Sequence, residues 1–160
     1  MNPDSKPAYT ILVGTMTGTA EIVAQEIGYA LEQNGAAVTQ IDMADATCAV
    51  FQRAGRFIIC TSTYGSGDVP DNARDFYDAL MARKPDLSQV QYAVFALGDQ
   101  CYRETFCFGG KKFDALLASL GATRLIPTFL QDAGSQILPE EACLEWLRPL
   151  LQERAGGRGN

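Results

Sequence analysis

The sequence predicts an α/β protein: a parallel sheet covered by helices on both faces. Three observations carry that prediction. Short, mostly apolar runs recur along the chain, among them "YTILVG", "RFIICTS" and "YAVFALG". Each is followed by a polar, glycine-containing loop. Stretches of helical period then separate one run from the next. Strands apolar on both faces, alternating with helices, suit a parallel sheet buried on both sides.

The elements follow in order. "YTILVG" is a buried strand. Residues 19–34 carry a helical stripe of Ala20, Val23, Ala24, Ile27, Ala30 and Leu31, which Asn34-Gly35 ends. "AVTQID" alternates and reads as a more exposed strand, and "RFIICTS" as a buried one holding Cys60. A helix is expected over about residues 72–81, then the buried strand "YAVFALG", then a helix over "GKKFDALLASLG" that stops at Gly121. "TRLIP" begins a last strand, and "PEEACLEWLRPLL" is a last helix opened by Pro139. Residues 1–153 are expected to form one domain and 154–160 a disordered tail.

Composition narrows the function. The chain has 160 residues with 47% hydrophobic and 20% charged, the balance of a soluble globular domain. The formal net charge is −6, which disfavours nucleic acid and anionic lipid and favours partners with basic faces. No apolar run is long enough to span a membrane, and the polar start "MNPDSKPAYT" is not a secretory signal. There is no histidine, and none of the five cysteines pairs at CxxC spacing. Zinc sites and histidine-based catalytic dyads or triads are thereby disfavoured, and reduced thiols in the cytoplasm are expected.

Three strand ends run into unusual loops: residues 14–20, 61–72 and 98–110. Parallel sheets bind ligands beyond the carboxyl ends of their strands, so these loops form one site if they meet at one edge. The first, "GTMTGTA", joins a strand to a helix start and offers backbone N–H groups, threonine hydroxyls and the permissive Gly18. It lacks the lysine of a nucleoside-triphosphate loop and the spacing of a dinucleotide loop. Two readings stand: a phosphate-monoester loop, or a helix start capped by Thr17 or Thr19.

The second loop sets Tyr64 in the polar turn "TSTYGSGDVPDN", where it could stack on a planar ligand or be a half-buried turn residue. Gly65 could reorient its peptide at little cost. Beyond it, Asp71, Asp75 and Asp78 share one helix face. They are either a solvated stabilising face or a docking stripe for a basic partner. In the third loop, Tyr102 could cover the opposite face of the same ligand, and Asp99 could lie near a ring edge. Phe106 and Phe108 could instead tie the loop to the core, as is expected of Phe108. Together the loops describe a mononucleotide with a planar ring.

Here the residues reach a known family. The three loops resemble those of the flavodoxins, short-chain in type. Residues 62–80 and 84–98 are similar to MioC-type members, and residues 109–127 to the flavin mononucleotide (FMN) domains of diflavin reductases. The likeness runs from Ala8 to about Leu151. It implies a doubly wound five-stranded sheet of order 2-1-3-4-5, with FMN as cofactor. Thr15, Met16, Thr17, Gly18, Thr19 and Ala20 match the phosphate loop, and Ser62 and Thr63 the positions near the ribityl chain and phosphate. Tyr64 matches the inner stacking position, and Gly65 the carbonyl facing flavin N5. Leu97, Gly98, Asp99 and Tyr102 match the ring edge and outer stacking positions, and Phe106 and Cys107 the family's Phe-Cys pair. Two departures stand out: Ala20 replaces the usual hydroxyl residue, and the spacing from Tyr102 to Phe106 is one residue longer.

The resemblance also implies what the protein does. It is expected to be a monomeric low-potential one-electron carrier rather than an enzyme, and to hold no metal. A flavodoxin/ferredoxin–NADP reductase would be its donor. Iron–sulfur or radical enzymes, biotin synthase among them, would be its acceptors. Asp71, Asp75 and Asp78 would face them. The alternative is an NAD(P)H:quinone reductase on the same fold. A response-regulator receiver is disfavoured, because it needs acidic residues where this chain has Gly14-Thr15 and Thr61-Ser62.

Overall fold

The computed structural model describes residues 7–15, 18–63, 69–98 and 107–158. In chain order the elements are β1 (Ala8–Gly14), α1 (Thr19–Gln33), β2 (Ala37–Asp42), two short 3-10 turns (Met43–Asp45 and Cys48–Gln52) and β3 (Arg56–Thr61). Then come α2 (Asp71–Arg83), β4 (Gln91–Gly98), α3 (Phe108–Ser119), β5 (Thr123–Arg124), β6 (Phe129–Asp132) and α4 (Pro139–Arg158). The strands form one parallel sheet in the order β2-β1-β3-β4-β5, with β6 also paired to β4. The order reverses between β1 and β3, and the crevice beyond their carboxyl ends is where such sheets bind ligands.

The period-two alternation of the central strands builds two apolar layers. Ile11, Val13, Ile58, Cys60, Ala93 and Phe95 face one side, against α1 and the α4 residues Trp146 and Leu147. Leu12, Phe57, Ile59, Tyr92, Val94 and Ala96 face the other, against Phe76 of α2 and Phe113 and Leu117 of α3. Burying each large side chain stabilises the fold by about 1.5–3 kcal/mol. β2, an edge strand among the described residues, holds only exposed and half-buried residues, as expected of the more exposed strand. Among the described residues, no helix is long and apolar enough to cross a membrane.

The structure departs from the sequence-based expectations in three places. The last strand is split: β5 pairs with Gln91 and Tyr92, and β6 pairs with residues 95–98. Pro127 lies in the gap and has no N–H to offer a ladder. Asp114 of α3 clamps both pieces, accepting from Arg124 Nη1 at 2.7 Å, Thr128 Oγ1 at 2.8 Å and Tyr92 OH at 2.5 Å. Secondly, α4 continues to Arg158 and takes in residues 154–158, which the sequence assigned to the tail. The absence of a helix breaker from Leu150 to Ala155 accounts for the helix as far as Ala155, and its continuation over Gly156 and Gly157 has no local cause in the sequence. Thirdly, Phe108 is 36% exposed rather than a core residue. The buried face of α3 is Gly109, Gly110, Phe113, Leu116 and Leu117, and Phe108 falls off that stripe.

Candidate cofactor-binding site

Strand register brings the three loop origins level. Gly14 at the end of β1 pairs with Thr61 at the end of β3, and Thr61 pairs with Ala96 of β4. Gly98 pairs in turn with Asp132 at the end of β6. Ser62 N–H donates to the Gly14 carbonyl at 2.9 Å, and Ala133 N–H to the Gly98 carbonyl at 2.8 Å. The loops after β1, β3 and β4 therefore leave the sheet along one edge.

At the first loop, Gly18 is the residue that caps α1, with φ of 96°, a conformation glycine adopts without strain. Among the described residues no side chain caps this helix, and Thr19 is its first helical residue rather than its cap. The first-turn N–H groups and the positive end of the helix dipole are thus left for a ligand. Among the described residues there is room beside them, since a Cβ on Gly18 would meet none of their atoms within 4 Å. Uncapped donors, open space and a loop without lysine or arginine fit a phosphate monoester. Ala20 is fully buried among core side chains, and its carbonyl accepts from the Cys60 thiol at 3.3 Å. The place of the family's usual hydroxyl is here part of the apolar layer.

Thr63 joins the second loop to the third. Its hydroxyl donates to the Leu97 carbonyl at 2.9 Å and accepts from Gly109 N–H at 2.9 Å. A Cβ on Gly109 would lie 2.2 Å from the Ser62 carbonyl oxygen, so only glycine permits this approach. Cys107 is buried at the start of α3, and its thiol donates to the carbonyls of Ala96 at 3.5 Å and Gln131 at 3.7 Å. Burial is the main force pushing that thiol up to about 12, with Asp132 adding to it and Lys111 opposing. Cys107 is thus a neutral donor that fastens the end of the third loop to the sheet.

The described candidates Thr15, Gly18, Thr19, Ser62, Thr63, Leu97, Gly98 and Cys107 come together at this edge. Met16, Thr17, Tyr64, Gly65, Asp99, Tyr102 and Phe106 lie outside the described residues. Asp71, Asp75 and Asp78 are exposed along α2, whose inner face buries Ala73, Phe76 and Leu80. One residue escaped the sequence reading. Asn72, in the first turn of α2, accepts from Thr15 N–H at 3.0 Å through Oδ1. It donates to Asp42 Oδ1 at 2.8 Å through Nδ2. A polar side chain between Pro70 and the apolar stripe was the only local signal. Its partners lie 57 and 30 residues away.

A doubly wound parallel sheet with a phosphate-suited helix start at its switch point defines an α/β mononucleotide-binding protein. The chain belongs to the flavodoxin family: the flavodoxin family model matches residues 11–146. It is 38% identical over 151 residues to the sulfite reductase [NADPH] flavoprotein alpha-component of Bacillus subtilis (strain 168), covering 92% of this chain but 24% of that one. The chain thus spans about a quarter of the length of that relative. Protein MioC of Escherichia coli (strain K12) is 33% identical, with 86% of this chain and 92% of MioC covered. Among solved structures, the C101A mutant of flavodoxin from Pseudomonas aeruginosa superposes with a TM-score of 0.81 at 29% identity, covering 91% of this chain and 97% of that one. The cofactor of this family is FMN, and the described residues fit it.

Proposed function

We propose that the protein is an FMN-dependent electron carrier of low potential. The observation that carries this is the uncapped α1 start at Gly18, set level with the ends of β3 and β4. Bound FMN supplies the redox chemistry, and the protein supplies orientation and electrostatics. Thr15, Met16, Thr17, Gly18, Thr19 and Ala20 form the phosphate loop, with Gly18 setting its turn and Ala20 contributing only backbone. Ser62 and Thr63 flank the ribityl chain. The single hydroxyl hydrogen of Thr63 is engaged by Leu97, so Thr63 shapes the site and its hydroxyl is spent on protein. Tyr64 and Tyr102 cover the ring faces, Gly65 meets the N5 edge, and Leu97, Gly98 and Asp99 border the ring. Phe106 and Cys107 close the third loop.

Charge sets the direction of the potential. The first loop carries no lysine or arginine, and the chain has a net charge of −6. Adding electrons beside an uncompensated phosphate is therefore unfavourable. The donor is an NADP-linked reductase, and the acceptors are iron–sulfur or radical enzymes, reached from the acidic face Asp71, Asp75 and Asp78. The protein acts as a cytoplasmic monomer and is not itself an enzyme.

Purification with a flavin absorption spectrum, and release of FMN on denaturation, are the expected results. Failure of the purified protein to bind added FMN would overturn the proposal. Oxidation of NAD(P)H by the holoprotein alone, at rates typical of an enzyme, would replace a carrier with a reductase.

A further inference from the structure

We infer that Asn72 is a positioning residue for the phosphate loop, acting through the backbone of Thr15. The chain of contacts crosses three elements. Asp42, at the end of β2, accepts from Ala44 N–H at 2.8 Å and from Asn72 Nδ2 at 2.8 Å, both on Oδ1. An ionised carboxylate only accepts, so Asp42 sets which way the Asn72 amide faces. The amide oxygen is thereby turned to Thr15 N–H at 3.0 Å. Thr15 Oγ1 in turn accepts from Gly18 N–H at 2.8 Å, directly before α1.

Two consequences follow for the loop. The N–H groups of Thr15 and Gly18 are both engaged within the protein, so they are not the donors that meet a phosphate. Among the described residues that work falls to the first-turn N–H groups of α1. The two ends of the loop are also pinned before a ligand arrives, which reduces the ordering cost of binding. Asn72 does this from α2, the helix that carries the acidic face.

This inference rests on the proposed FMN site, and a pair of ligands separates the two. Riboflavin has the ring and ribityl chain of FMN but no phosphate. Dissociation constants for both are measured by fluorescence titration on the full chain, for wild type, Asn72→Ala and Asp42→Ala. The expected result is a roughly tenfold weaker FMN affinity in Asn72→Ala, the effect of one lost hydrogen bond that orders a loop, with riboflavin affinity changed less than about twofold. Asp42→Ala, which frees the amide to turn, should shift the FMN-to-riboflavin ratio in the same direction by less.

An unchanged FMN affinity in Asn72→Ala, or equal weakening of both flavins, overturns the inference and leaves the FMN proposal standing. If Asn72→Ala does not fold, the ratio in Asp42→Ala decides by the same criteria. A wild-type protein that binds neither flavin overturns the FMN proposal and this inference with it.

Discussion

The N–H of Gly109 donates to the Thr63 hydroxyl at 2.9 Å, while that same hydroxyl donates to the Leu97 carbonyl at 2.9 Å. One side chain thus ties the ends of β3 and β4 to the start of α3. Thr63→Val keeps the shape and removes both contacts, stranding a half-buried N–H and a carbonyl. It should cost about 1–3 kcal/mol in urea denaturation, whereas Thr63→Ser should recover most of the loss. Equal stability of the valine and serine variants would deny the hydroxyl this role.

Gly109 has a steric role as well. In Gly109→Ala the new methyl would sit 2.2 Å from the Ser62 carbonyl oxygen, which is backbone and must move as a unit. The variant should lose about 1–3 kcal/mol of stability and bind FMN more weakly, because the second and third loops are pushed apart. Gly18→Ala offers a contrast: its methyl meets no atom of the described residues, and the cost of about 1–2 kcal/mol comes from the left-handed backbone. Calorimetry and flavin titration of the two variants separate these causes.

Stability and binding separate at opposite ends of β4. Tyr92 OH donates to Asp114, six residues along the strand from Gly98 and so roughly 20 Å from the site edge. Burial, followed by this bond to Asp114, holds the phenol in its protonated form. Tyr92→Phe should lower stability by about 1 kcal/mol and leave the FMN dissociation constant unchanged. A matching loss of FMN affinity would show that the Asp114 clamp is coupled to the site.

Two buried thiols make stability fall in alkali. Burial is the first cause that pushes both Cys107 and Cys143 from an ordinary 9.0 up to about 12; next to it, Glu26 and Glu140 raise Cys143. The unfolded chain releases these protons near pH 9, whereas the folded chain keeps them to about 12. Their contribution is therefore whole below pH 9 and is lost as pH rises from there towards 12. The urea midpoint of wild type should fall more steeply across that window than that of the Cys107→Ala/Cys143→Ala double variant. In native protein at pH 8, alkylation should reach the half-buried Cys48 ahead of the buried Cys60, Cys107 and Cys143.

The exposed carboxylates of α2 invite a kinetic test. Reversal of Asp71, Asp75 and Asp78 to lysine should slow electron transfer from an NADP-linked reductase, most strongly at low salt, with FMN affinity unchanged. A salt-independent rate equal to wild type would make the face a solvated one.

Much of this was legible in the chain. The apolar runs "YTILVG" and "RFIICTS" and the helical stripe from Ala20 to Leu31 are local patterns, and the elements lie where they predict. The three loops could be named because a strand end followed by glycines and hydroxyls is also a local feature. Phe108 was misplaced because α3 begins at that residue, and the angle at which a helix starts decides which of its first side chains turns inward.

The sequence by itself determined the order of strands and helices and the family, because periodicity and motif spacing act between near neighbours in the chain. Only the tertiary structure decided that Asn72 holds Thr15, that Asp114 clamps a last strand broken at Pro127, and that Gly109 must approach Ser62. Each of these joins residues between 10 and 57 positions apart, counting Arg124 and Thr128 as the partners of Asp114. Such pairs meet through sheet register and helix packing, and no local pattern in the chain encodes them.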